Sequence, residues 1–137
     1  MGTTNYTGTF IQVAEDCPAT TAEEPPAGRG APTVATLQYA LIAARPYELT
    51  SDDVVFDVHA ERRGIAEADR AEAREAFFAT GQPCLRASPL AKRYGWGIHH
   101  DADSRVALVP LGSAEYQTLA ADPAVKQLKA MRSKRAQ

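Results

Sequence analysis

A strand-like segment stands almost alone at the start of this chain, and its isolation constrains the fold more than any other feature. Residues 7–14 read TGTFIQVA, with Phe10, Gln12 and Ala14 alternating against Thr9, Ile11 and Val13. That is a period-two pattern rich in β-branched and aromatic residues. The next stretch, residues 15–32, reads EDCPATTAEEPPAGRGAP, with Pro18, Pro25, Pro26 and Pro32, Gly28 and Gly30, and no apolar period. It is a loop, and loops this long inside a compact domain tend to be functional or disordered. The strand has no local partner, so any sheet must draw its other strands from much later in the chain.

Helices are expected in between. Residues 33–44 place Val34, Leu37, Leu41 and Ile42 on one face, alanines favour the conformation, and Pro46 ends the run. Thr50 or Ser51 followed by Asp52 and Asp53 looks like a helix start, a hydroxyl cap with acids in the first turn. The next segment, VVFDVHAERR, carries two signals: Val54, Phe56, Val58 and Ala60 alternate as in a strand, but the cap and the Ala-Glu-Arg-Arg ending decide for a helix. Residues 66–79 are rich in Ala, Glu and Arg, and their apolar stripe is thin until Phe77 and Phe78. This predicts a surface helix pinned at its C-terminal end. Residues 83–87 read as a short strand, and Ser88 and Pro89 as a chain break. Residues 94–100 and 105–110 flank the turn-rich DADS at 101–104 and predict a β-hairpin. Ser113 caps a short helix with Tyr116, Leu119 and Ala120 inward. Asp122 and Pro123 look like the start of a last helix, with Val125 and Leu128 facing the core.

Strands and helices are segregated rather than alternating, which predicts an α+β fold. The expected architecture is a small antiparallel sheet, early strand plus β-meander, packed with about four or five helices. The 137 residues fit one globular domain spanning 1–137. A hydrophobic share of 45% and a charged share of 23% describe a globular chain rather than a disordered one. The net charge of −2 supplies no overall field toward nucleic acid or membrane. The longest strongly apolar run, 106–111, is broken by Pro110 and falls far short of the roughly 20 residues of a spanning helix, so no membrane association is expected. The N-terminus MGTTNYTGTFIQ has neither a basic nor an apolar leader region, so a cytoplasmic location is expected. There the two cysteines, Cys17 and Cys84, are expected to be reduced thiols.

The densest chemistry lies in residues 81–100, GQPCLRASPLAKRYGWGIHH. Lys92, Arg93, Tyr94 and Trp96 pair cations with aromatics, a combination that suits an anionic or planar ligand. Gly95 and Gly97 permit close backbone approach or an unusual turn. The expected ligand-facing surface is therefore Arg86, Lys92, Arg93, Tyr94, Trp96 and His99, with the 15–32 loop as its cover. The plainer reading makes Tyr94 and Trp96 core anchors of the hairpin and Lys92 and Arg93 a solvated loop. Cys84, just upstream of Arg86, is a candidate reactive thiol, since a neighbouring guanidinium favours a thiolate. Against this, a free cysteine is usually a small buried apolar residue. His99, His100, Asp101 and Asp103 are a dense cluster of potential metal ligands, but adjacent strand residues point to opposite faces and the aspartates suit a turn. No metal or other cofactor is expected. His59 has no HExxH partner and reads as a surface or satisfied histidine. The C-terminus, KQLKAMRSKRAQ, gathers Lys126, Lys129, Arg132, Lys134 and Arg135. It offers phosphate contacts, but the acidic remainder of the chain argues against a nucleic-acid partner. No phosphate-binding loop, dinucleotide fingerprint or nucleophile elbow occurs.

Four segments, TNYTGTFIQVAEDCP, LQYALIAARPYELTSDDVVF, GQPCLRASPLAKRYGWGIHH and KAMRSKR, together resemble a bacterial family known only as domain of unknown function 6157. The likeness covers nearly the whole chain in the same order. It implies a single-domain bacterial cytoplasmic protein and brings no activity, cofactor or catalytic residue. The expected function is a small cytoplasmic α+β binding or interaction module for an anionic or aromatic ligand, or for a partner. The alternatives are an enzyme using Cys84 as nucleophile or redox thiol, and nucleic-acid binding through the basic C-terminal helix.

Overall fold

The early strand, β1 (Thr9–Gln12), lies inside the sheet rather than at its edge. The computed structural model describes residues 2–133. After β1 come four helices: α1 (Val34–Ala44), α2 (Ser51–Arg63), α3 (Arg70–Phe78) and α4 (Pro89–Arg93). The hairpin strands β2 (Trp96–His100) and β3 (Val106–Pro110), helix α5 (Ala114–Ala121) and strand β4 (Lys126–Lys129) complete the order. The sheet runs β3-β2-β1-β4. β1 is antiparallel to β2, with Phe10 opposite His99 and Ile11 opposite Ile98. β2 and β3 pair antiparallel, with Ile98 opposite Leu108. The arrangement is α+β, as the segregated pattern predicts.

Two local readings are corrected. The expected last helix is strand β4, which pairs parallel to β1 with Leu128 opposite Ile11 and makes the sheet mixed rather than purely antiparallel. The helix-start signal is real but is used for one turn only. The Asp122 carboxylate accepts the Ala124 N–H at 2.8 Å, and the Val125 N–H reaches the Asp122 carbonyl at 3.2 Å. The free edge of β1 then captures the backbone, Leu128 packs on the core and the Gln127 amide donates to the Leu119 carbonyl. The second correction concerns residues 83–87. They form no strand, but a 3-10 turn at Leu85–Ala87, and Ser88 starts α4 instead of breaking the chain. Its hydroxyl accepts the Leu90 N–H and Pro89 fills the first helical position, where a missing N–H costs nothing.

Helix α2 settles the double signal in residues 54–63. Thr50 and Asp53 form a reciprocal capping box. The alternating apolar residues are all buried because α2 is covered on two sides. Val54 joins the sheet-side core with Ile11, Ile42, Leu90, Ile98 and Val106, whereas Phe56 and Ala60 join Phe78 of α3 in a separate cluster. α3 is a surface helix held by Phe78, as its thin stripe predicts. The other face of the sheet is closed by α5, where Phe10, Val109 and Tyr116 pack together. Among the described residues, no helix is long and apolar enough to cross a membrane.

Candidate functional site

The residues that the sequence singled out do not share one surface. β2 directs Trp96, Ile98 and His100 toward the helical core and Gly97 and His99 toward α5, so Trp96 and His99 lie on opposite faces. The Trp96 indole donates to the Glu23 carbonyl of the long loop at 2.8 Å, and its ring lies 5.5 Å from that of Tyr39. The Glu23 N–H donates in turn to the Tyr94 carbonyl. The loop thus lies over residues 94–96. Both glycines of the GWG motif have mechanical reasons. Gly95 has φ +79° with the Thr21 carbonyl oxygen 2.6 Å from where a Cβ would sit, and at Gly97 a Cβ would meet the Phe10 ring at the same distance. Lys92 is half-buried and Arg93 exposed on α4. Arg86 is a fastener: its Nε donates to the Lys129 carbonyl and its own carbonyl accepts the Met131 N–H.

The adjacent histidines have opposite surroundings. His99 Nδ1 shares a 2.8 Å hydrogen bond with the Tyr47 hydroxyl. Burial holds His99 below the usual histidine value, against the pull of Asp101 and Glu115. His100 is fully buried, and neither ring nitrogen has a hydrogen-bond partner. Burial pushes its pKa down to about 4, and the Ile98 backbone favours the proton without reaching hydrogen-bond geometry. Asp101 is a turn residue whose carboxylate accepts the N–H groups of Asp103 and Arg105.

A different place in the molecule has the shape of a binding site. Between α1, α2 and the segment 82–89 lies a cleft of about 390 Å³, within the range of small-molecule sites. Its walls are largely apolar: Val34 from α1, Val55 and Val58 from α2, and Pro83, Leu85 and Pro89 opposite. Phe77 closes one side, its ring 4.4 Å from the His59 ring. Burial and the nearby Arg63 lower the His59 pKa, so the ring is neutral at pH 7. Arg62 and Arg63 line the same cleft at the last turn of α2. Among the described residues neither makes an ion pair, whereas Arg45, Arg70 and Arg74 all do. The polar floor residues Gln38 and Ser88 bond to each other and are buried.

Cys84 also lines the cleft, half-buried. Its sulfur lies 3.2 Å from the Tyr6 hydroxyl. Tyr6 is held there by the N-terminal segment, which Thr4 and Asn5 tie to the start of α2 through Asp52. Burial raises the Tyr6 pKa, and the hydrogen bond to Cys84 adds to this while Arg86 opposes it, so the phenol keeps its proton. The wall bearing Cys84 is anchored on both sides. The Gln82 amide donates to the Phe77 carbonyl at 2.8 Å, and Arg86 clasps the chain after β4.

The basic C-terminus contains no helix among the described residues. Lys126 and Lys129 belong to β4, and both Lys129 and Arg132 pair with Glu15. Lys134 and Arg135 lie outside the described residues. Sequence reasoning finds Cys84 but sets His59 aside and passes over Arg62, Arg63, Tyr6, Gln38 and Ser88. One signal is present in the chain: His59, Arg62 and Arg63 are spaced i, i+3, i+4, which places them on one helical face.

Comparison with curated proteins and with solved structures yields no match. A family model does match residues 1–136, and the chain thus belongs to the family of unknown function DUF6157.

Proposed function

We propose that the protein binds a small amphipathic anion in the cleft between α1, α2 and residues 82–89. The single observation that carries this reading is the pair Arg62 and Arg63, two cations without ion-pair partners among the described residues, beside an apolar hollow of about 390 Å³. Guanidinium groups take carboxylate, sulfonate or phosphate in bidentate fashion. The apolar walls and the His59–Phe77 ring pair accept a flat or aliphatic body. A neutral His59 adds a hydrogen-bond donor or acceptor without a third charge. Arg86 stands outside the lining and contributes by fastening the wall that bears Cys84 to the end of β4. The bacterial and cytoplasmic setting expected from the sequence is part of the proposal, because it keeps Cys84 reduced.

The test is a chemical-shift titration with 1-naphthoate and with the uncharged 1-naphthylmethanol. Naphthoate is expected to shift amides in 55–63 and 82–89, to bind more tightly than the alcohol, and to lose that advantage in the Arg62→Ala/Arg63→Ala variant. Shifts confined to the hairpin, or equal affinity for acid and alcohol, overturn the reading.

A further inference from the structure

We infer that Cys84 is a site of thiol–disulfide exchange with anionic low-molecular-weight disulfides, which the cleft recruits by their carboxylates. The inference rests on the anion-binding reading of the same cleft and adds a covalent step to it. Cys84 lines the hollow that Arg62 and Arg63 also line. Its sulfur has a hydrogen-bonding neighbour in the Tyr6 hydroxyl at 3.2 Å, and that phenol stays protonated because burial raises its pKa. A phenol that keeps its proton donates to a thiolate.

The step balances without any further reactant. The Cys84 thiol gives its proton to solvent, and the thiolate attacks one sulfur of the disulfide. The new S–S bond joins Cys84 to half of the reagent, the old S–S bond breaks, and the other half leaves as a thiolate that takes a proton from water.

The experiment follows adduct mass on the intact protein, with the modified residue located by peptide mass. The reagents are oxidised glutathione and the neutral bis(2-hydroxyethyl) disulfide, each rate divided by that of N-acetylcysteine. A Cys84 adduct forming about five- to tenfold faster, on this scale, with the anionic reagent is expected, since two exposed charge contacts are worth about that factor. Arg62→Ala/Arg63→Ala should erase the preference. Equal normalised rates, or an adduct formed only in urea, overturn the inference. Naphthoate titration of Cys84→Ser separates the two readings: retained binding with no adduct chemistry in the native protein leaves the cleft proposal standing and removes the covalent step.

Discussion

The hairpin around Trp96 and the cleft beneath α2 use their polar groups in opposite ways. In the hairpin the conspicuous residues are spent on holding the chain together. The Trp96 indole binds the loop, Gly97 admits the Phe10 and Tyr116 rings, and His99 bonds Tyr47. In the cleft the cations are left over: Arg62 and Arg63 have no carboxylate partner among the described residues, and half-buried Cys84 lines the same hollow. A rare residue type is therefore a weaker sign of a site than an unsatisfied common one. Arg62 and Arg63 suit the C-terminal turn of α2 but make no ion pair among the described residues, which is why the proposed anion site is placed on them.

This contrast predicts that hairpin changes cost stability and cleft changes cost binding. The largest effect is expected at Gly97→Val. A Cβ there would sit 2.6 Å from the Phe10 ring and 2.9 Å from the Tyr116 ring, and overpacking of this kind costs about 3 kcal/mol. Urea unfolding measures it, and a midpoint like that of the parent chain would mean that the two rings are not fixed there.

Almost as large is the acid response of His100. Its folded pKa is about 4 against an ordinary value of 6.5. The unfolded chain therefore takes up the proton first, so this contribution is whole above pH 6.5 and drains away as pH falls toward 4. The loss over that window is about 3 kcal/mol. His100→Leu should flatten the difference in stability between pH 7 and pH 4 by that amount. A variant with the same acid slope as the parent would assign the slope to the carboxylates.

The smallest effect on stability is expected in the cleft itself. Arg62→Ala with Arg63→Ala should move stability by no more than about 0.5 kcal/mol, as for exposed residues without partners, while naphthoate binding falls. A large loss of stability in this pair would abolish the contrast.

The sequence makes some of this legible and conceals the rest for physical reasons. Caps are local, so the Thr50-Ser51 pair and Ser113 mark two helix starts, and Thr50 and Ser113 are the residues that cap. β4 is not a local matter. The Asp122–Pro123 start is written into the chain, and only the vacant edge of β1 turns residues 126–129 into a strand. The cleft is hidden for the same reason, because Val34, Arg62, Phe77 and Cys84 come from four parts of the chain and meet only after packing. The hairpin is conspicuous because its unusual residues are consecutive, and consecutive strand residues point to opposite sides of a sheet.

The central position of β1 sets an order of events during folding. Its first partner, β2, begins at Trp96, and its second partner, β4, begins only at Lys126, so that the side-chain bond from Gln12 to Gln127 spans 115 residues. A growing chain can complete α1 and α2 on local signals while β1 waits with both edges open. The sheet closes only after residues 126–129 have emerged, and closure between such distant segments is the slow kind. The strand written first is thus among the last to be secured, and until then the chain carries an unpaired apolar strand that a second unfolded copy can also pair with.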